Sequence, residues 1–206
     1  MSSNEATTVR PQLLRCVGQH IWRSRFECLA ALSTLAIVVA ELRYQGRRWW
    51  CACGGLEIWW SDTNSSHNSQ HLLDPYSLTH VLHGLLFYGL LTLLMRRSRV
   101  SCRFVFALAI EGLWELFENS TFVIERYRAA TISLNYYGDS IVNSLGDIAC
   151  CTLGFWLTPR LGFSGSVALF LAIEAILLFW IHDDLLLNIL MLVYPIDAVK
   201  AWQIGR

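Results

Sequence analysis

The chain has 206 residues, 54% of them hydrophobic and only 16% charged, against roughly 25% charged in a soluble domain. Sixteen Lys+Arg balance sixteen Asp+Glu, which leaves no basic field to hold nucleic acid. A disordered chain, a nucleic-acid binder and an ordinary cytosolic enzyme are excluded. The composition predicts an integral membrane protein, with the lipid bilayer as its first partner.

A bilayer core about 30 Å thick takes roughly 20 mostly apolar helical residues, with a range of about 17–25. Residues 1–27 read as a cytoplasmic N-terminal segment carrying Arg10, Arg15, Arg23 and Arg25. Residues 28–206 then form a single all-α domain, a polytopic membrane helix bundle of about five transmembrane helices at about 28–44, 78–95, 104–124, 140–158 and 165–181. The apolar run 185–194 is too short to span and stops at Pro195, so it reads as a re-entrant or interfacial C-terminal helix. Residues 62–76 and 125–138 read as loops. Arg96, Arg97, Arg99 and Arg103 crowd the connection after the second span, on the same side as the N-terminus. The positive-inside rule puts that side in the cytoplasm and the C-terminus outside, although Arg43, Arg47, Arg48, Arg126 and Arg128 fall on the far side. The Val38-Val39-Ala40 end of the first span resembles a signal cleavage site, but the segment before it is long for a signal peptide, which favours an uncleaved anchor.

The pairs Trp49–Trp50 and Trp59–Trp60 flank the outer end of the first span, where indole rings anchor at headgroup level; a substrate platform is the alternative. Cys28, Cys102, Cys150 and Cys151 lie in or beside spans and read as small packing residues. Cys51-Ala-Cys53 falls on the outer side. A bridge within C-x-C is cramped, and the sequence offers no second Cys pair for a zinc framework.

Polar groups at membrane depth face the bundle interior and are functional candidates by default, since a central charge costs about 2.5–3.5 kcal/mol on insertion scales. Tyr76, His80 and His83 share one face of the second span. Glu111, Glu115 and Glu118 form a stripe on the third, and Asp139, Asn143 and Asp147 one on the fourth. Glu174 and His182-Asp183-Asp184 belong to the fifth. In the expected topology these groups gather at the outer membrane face, beside loop residues His67, His71, Asp74, Arg126 and Arg128. Convergence of His80, Glu115, Asp139 and Asn143 is expected.

The run from Ser65-Ser66-His67 through Asp74-Pro75-Tyr76 to His80-Val81-Leu82-His83-Gly84, the run Glu111-Gly112-Leu113-Trp114-Glu115-Leu116-Phe117-Glu118-Asn119-Ser120 and the run Tyr137-Gly138-Asp139-Ser140-Ile141-Val142-Asn143-Ser144-Leu145-Gly146-Asp147 resemble an uncharacterised family of bacterial inner-membrane proteins, catalogued as a domain of unknown function. The likeness covers roughly residues 48–203 and implies a location rather than an activity. His80, Glu115, Arg128 and Asp139-x3-Asn143-x2-Gly146 are also similar in order to VanZ-like membrane proteins, although Ser77 stands where that pattern has an Asp. The wider group's association with glycopeptide-antibiotic tolerance implies work at the envelope.

Three uses of the stripes stay open. In an enzyme acting on a lipid or lipid-linked envelope substrate, His80, His83, Glu115, Asp139 and Asn143 would be catalytic. His67, His71, Glu118, Arg126 and Arg128 would bind substrate, the arginines holding a phosphate. A divalent metal could sit among His80, His83, Glu115 and Asp139. A small-solute or proton-coupled transporter would use the same groups as a proton relay. In a structural or assembly protein they would be interhelical glue.

Overall fold

The computed structural model describes residues 5–131 and 135–205, with side chains from Arg25 onward. The expectations resting on Arg10, Arg15 and Arg23 lie outside the described side chains. Seven helices follow in order among the described residues: α1 (Glu5–Tyr44), α2 (Ser77–Leu94), α3 (Val100–Glu118), α4 (Thr121–Ala130), α5 (Ile141–Ile181), α6 (Leu185–Val193) and α7 (Asp197–Ile204). Among the described residues there is no strand, only an isolated parallel bridge between Trp59 and Leu73. The chain is all-α. Two helices among the described residues, Ser77–Leu94 and Ile141–Ile181, are long and apolar enough to cross a membrane.

The expected third element, 104–124, is corrected. α3 ends at Glu118, where the Asn119 side chain donates to the Glu115 carbonyl. Ser120 then turns extended, and its hydroxyl accepts from the Val123 amide to start α4. Residues 125–130, expected as loop, are therefore helix. The expected short helix after Asp184 is present as α6, capped by the Asp184 carboxylate accepting from the Leu187 amide.

The two expected elements 140–158 and 165–181 are the limbs of α5, which contains Pro159 and a break at Gly162 (φ 68°, ψ −177°). Gly84 on α2 lies against the backbone of Gly154, while the Tyr76 hydroxyl donates to Asp183 at 3.1 Å. In a straight helix residues 154 and 183 would be about 43 Å apart, whereas 76 and 84 are about 12 Å apart. The chain must reverse, and it does so where only glycine adopts the required φ without strain.

α2 fills the groove between the limbs, with Val81, Leu82 and Leu85 packed on Ile173, Leu177 and Ile181. A Cβ on Gly84 would strike the Cys151 carbonyl, and one on Gly154 the Val81 carbonyl, so the two backbones touch. On the other side α1 and α3 join the first limb of α5 through Val38, Leu42, Leu108, Ile141 and Ile148. The helix faces are inverted relative to those of a protein in water. On α3 the carboxyl-bearing Glu111 and Glu115 are 0% exposed, whereas Leu113 is 67% and Phe117 48% exposed. The irregular segment 45–76, α4, α6 and α7 cluster at one end. Trp59 stacks on Trp180, the Asn135 side chain donates to the Asn64 carbonyl, and Arg126 donates to the Leu192 carbonyl.

Candidate functional site

Residues one helical turn apart face the same way, so α2 offers His80 and His83 together and α3 offers Glu111 and Glu115. Their contact is direct. Nδ1 of His80 lies 2.6 Å from Glu111 Oε1, and Nδ1 of His83 lies 3.0 Å from Glu111 Oε2. A carboxylate can only accept, so both rings carry their proton on Nδ1, and one carboxylate orients two imidazoles. Glu115 Oε1 stands 3.5 Å from His80 Nδ1. Neither oxygen of Glu115 has a hydrogen-bond partner among the described residues, although the side chain is fully buried.

The far nitrogen of His80, Nε2, faces Asp147 Oδ2 at 3.9 Å. Asp147 accepts from the Ser77 hydroxyl at 2.7 Å. Asp74 in turn accepts from the backbone amides of Ser69, Tyr76 and Ser77 and from the Asn143 side chain. A polar chain thus runs Asn143–Asp74–Ser77–Asp147–His80–Glu111–His83. Burial pushes the Asp74 carboxyl above its ordinary value against those three amides.

Asp139 closes the same side. It exchanges two hydrogen bonds with Asn119: its Oδ2 accepts from the Asn119 amide, and its own backbone amide donates to Asn119 Oδ1, both at 2.7 Å. The Tyr136 hydroxyl also reaches its carboxylate at 3.1 Å. Burial, reinforced by the nearby Asp74 charge, pushes the Asp139 carboxyl up to about 7, while the bonds from Asn119 and Tyr136 hold it down. Asp183, bonded by Tyr76 and Asn188, is raised by burial to about 6.

A cavity of about 500 Å³ opens among these groups, within the range of ligand pockets. Its inner wall carries His80, His83, Glu118, Tyr136, Asp139 and Asp147. Its outer wall is Leu86, Phe87, Ile110, Leu113, Trp114 and Phe117, of which Leu86, Ile110, Leu113 and Phe117 lie exposed on the molecular surface.

The structure brings His80, His83, Glu115, Glu118, Asp139 and Asn143 to this neighbourhood. Three groupings have ligand atoms spaced for a metal; His80, His83 and Glu111 form one, and His80, Glu115 and Glu118 another. Asp139 belongs to none of them, its carboxylate being engaged by Asn119 and Tyr136. Arg126, Arg128, His67 and His71 do not line the cavity. Arg126 donates to the Leu192 and Val193 carbonyls at the end of α6, and Arg128 lies over the Tyr137 ring at 4.9 Å. His67 and His71 sit instead with Cys51 and Cys53, against Trp60. Glu111 and Asp147 stood in the sequence stripes without being chosen. Asn119 continues the spacing of Glu111 and Glu115 by one more turn at the end of α3, whereas Tyr136 carried no periodic signal.

Residues 42–205 match the family described as Protein of unknown function (DUF2585). The chain is 49% identical over 183 residues to the UPF0314 protein of Rhizobium meliloti (strain 1021), covering 89% of this chain and 93% of the relative. It is 47% identical to that of Sinorhizobium fredii (strain NBRC 101917 / NGR234), covering 86% and 90%. It is also 47% identical to that of Paracoccus denitrificans (strain Pd 1222), covering 82% and 89%. No solved structure matches the chain. The VanZ-like spacing rests on the order of its residues in the sequence alone, whereas matches over nearly the whole length of these relatives show that the chain belongs to the uncharacterised UPF0314/DUF2585 family.

Proposed function

We propose that this is a bacterial inner-membrane enzyme that takes the headgroup of a lipid or lipid-linked envelope substrate into the cavity between α2 and α3. α1, α2, α3 and the two limbs of α5 cross the bilayer in this reading. The inverted faces of α3 support it, since a helix with buried glutamates and exposed Leu and Phe is placed well in lipid and badly in water. So does the gathering of segment 45–76, α4, α6 and α7 at one end, which an odd number of crossings requires once α1 has passed through. The arginines of 96–103 then lie in the cytoplasm and the cavity opens toward the outer leaflet.

The observation that carries the chemistry is the division of the cavity. One wall is an acid–base network, and the other is apolar and continuous with the exposed surface, as an amphiphile needs. His83 and His80, oriented by Glu111, would exchange protons with the headgroup, and Glu115 and Asp147 would pass them on. A second reading of the same residues is favoured by the ligand atoms of His80, His83 and Glu111 lying within 4.8 Å of one another. A His2Glu set of this kind leaves a metal one open position for water or substrate.

The test is Glu115→Gln. Its carboxyl has no hydrogen bond to lose, and the neighbouring carboxylates offer acceptors for the amide. The parent and the variant are reconstituted in a lipid extract of the native membrane, and lipid turnover is followed by mass spectrometry beside detergent melting. Turnover should fall about 10²–10⁴-fold with melting within a few degrees of the parent. A stable variant that turns lipid over at the parental rate, and complements a deletion strain in full, would reduce the cluster to interhelical glue.

A further inference from the structure

Outside the cavity, the segment 45–76 holds a second set of chemistry-bearing side chains. We infer that Cys51, Cys53, His67 and His71 form a closed Cys2His2 site for one divalent cation of the zinc type, which staples this segment into shape. Their four ligand atoms all lie within 4.8 Å of one another. Cys51 Sγ is 3.1 Å from His67 Nδ1, and Cys53 Sγ is 3.9 Å from His71 Nε2. Tetrahedral zinc, with Zn–S near 2.3 Å and Zn–N near 2.0–2.1 Å, sets its ligands about 3.3–3.8 Å apart, so shifts of no more than about 1 Å close the shell.

The surroundings are those of a ligand set. His71 Nδ1 lies 2.8 Å from the Glu57 carbonyl. A carbonyl only accepts, so Nδ1 carries the proton and the lone pair of Nε2 points at Cys53. This is the outer-shell hydrogen bond that metal-binding histidines use to fix their tautomer. The backbone amides of Cys53 and Gly55 donate to the sulfurs of Cys51 and Cys53, each at 3.4 Å, the contacts a metal-bound thiolate accepts. Gly54 (φ 74°) turns the chain between them. Trp60 stacks on the His71 ring at 5.1 Å, giving the site an apolar wall. Cys51, Cys53 and His67 also line a cavity of about 410 Å³, a path for the ion.

His67-x3-His71 falls within the usual zinc spacing of two histidines, and the C-x-C pair is one residue shorter than usual. Four protein ligands leave no open position, so the role is structural. The staple bears on the proposed reaction centre through adjoining residues. Asn68 and Ser69 line the main cavity, and the Ser69 carbonyl accepts from the Ser140 amide beside Asp139.

The test uses the full chain, purified in detergent through a histidine-free tag, stripped with a chelator under reducing conditions and titrated with Co²⁺. One equivalent should bind with tetrahedral d–d absorption and a thiolate-to-cobalt charge-transfer band, and Zn²⁺ should displace it. Cys53→Ser and His71→Gln should each weaken binding by more than about 100-fold, beyond the loss of an outer-shell group. His83→Gln should leave the band intact, since neither grouping of candidate ligands around His80 includes a cysteine; failure here is thereby separated from failure of the enzymatic reading. X-ray absorption of the zinc-loaded parent chain, which does not depend on any variant folding, should report two sulfur and two nitrogen neighbours. A saturating titration without the charge-transfer band, a band unchanged by Cys53→Ser, or a Cys51–Cys53 disulfide in protein trapped directly from membranes would each overturn the site.

Discussion

The two clusters of ionisable side chains are held by opposite means. His80, His83, Glu111 and Glu115 stand on two helices whose periodicity sets their direction, and helix packing sets the 2.6 Å approach of imidazole to carboxylate. Cys51, Cys53, His67 and His71 stand on a segment without regular structure, where positions depend on turns, on indole rings and on one carbonyl contact. The first cluster inherits its geometry from the fold. The second lends geometry to a stretch of chain that has little of its own, and a cross-linking ion supplies what helices supply elsewhere.

Four measurements test that contrast. The largest effect belongs to Glu111, fully buried against both imidazoles. Glu111→Leu removes the group that orients them and should lower stability by about 3–5 kcal/mol, read by melting in detergent. A neutral outcome would mean that packing alone holds the cluster. Next, Gly84→Ala drives a Cβ into the Cys151 carbonyl on the neighbouring helix and should cost about 1–3 kcal/mol. It should also lengthen the His83–Glu111 contact while leaving the Cys–His cluster alone, and cobalt titration of the variant checks this.

The third is a pH dependence. Asp139 titrates near 7 in the folded chain against an ordinary 3.8, so between those values the folded state keeps a proton that the unfolded state has released. Its contribution is therefore most favourable below about pH 4 and declines as pH rises to 7, by at most about 1.4 kcal/mol per unit. Melting curves across this window should show the decline, and Asp139→Asn should flatten it. The smallest effect is that of Arg128, whose guanidinium lies over Tyr137. Arg128→Ala should cost about 0.5–1 kcal/mol and leave lipid turnover unchanged; a large loss of turnover would return Arg128 to the substrate.

What the sequence disclosed follows the same division. The polar stripes were legible because helical periodicity turns spacing into direction, and His80, His83, Glu115 and Asn143 do lie on inward faces. Helix ends set by side-chain caps were harder. Ser120 begins a new helix four residues before the hydrophobicity fades. The pairing of Cys51-x-Cys53 with His67-x3-His71 was hidden, since bringing them together takes the turn at Gly54 and the stacking of Trp60, neither of which leaves a period in the sequence.

The backbone contact between Gly84 and Gly154 also decides which wall of the cavity can yield. Where α2 crosses the first limb of α5 at these glycines, no side chain separates the two backbones, and that point of the wall is stiff. The opposite wall, α3 with Ile110, Leu113 and Phe117, meets α1 and the first limb of α5 through side chains such as Val38, Leu42, Leu108 and Ile148, which can repack. Any movement of α3 that admits a bulky tail would carry Glu111 away from His80 and His83, so the width of the cavity and the orientation of the two imidazoles change together.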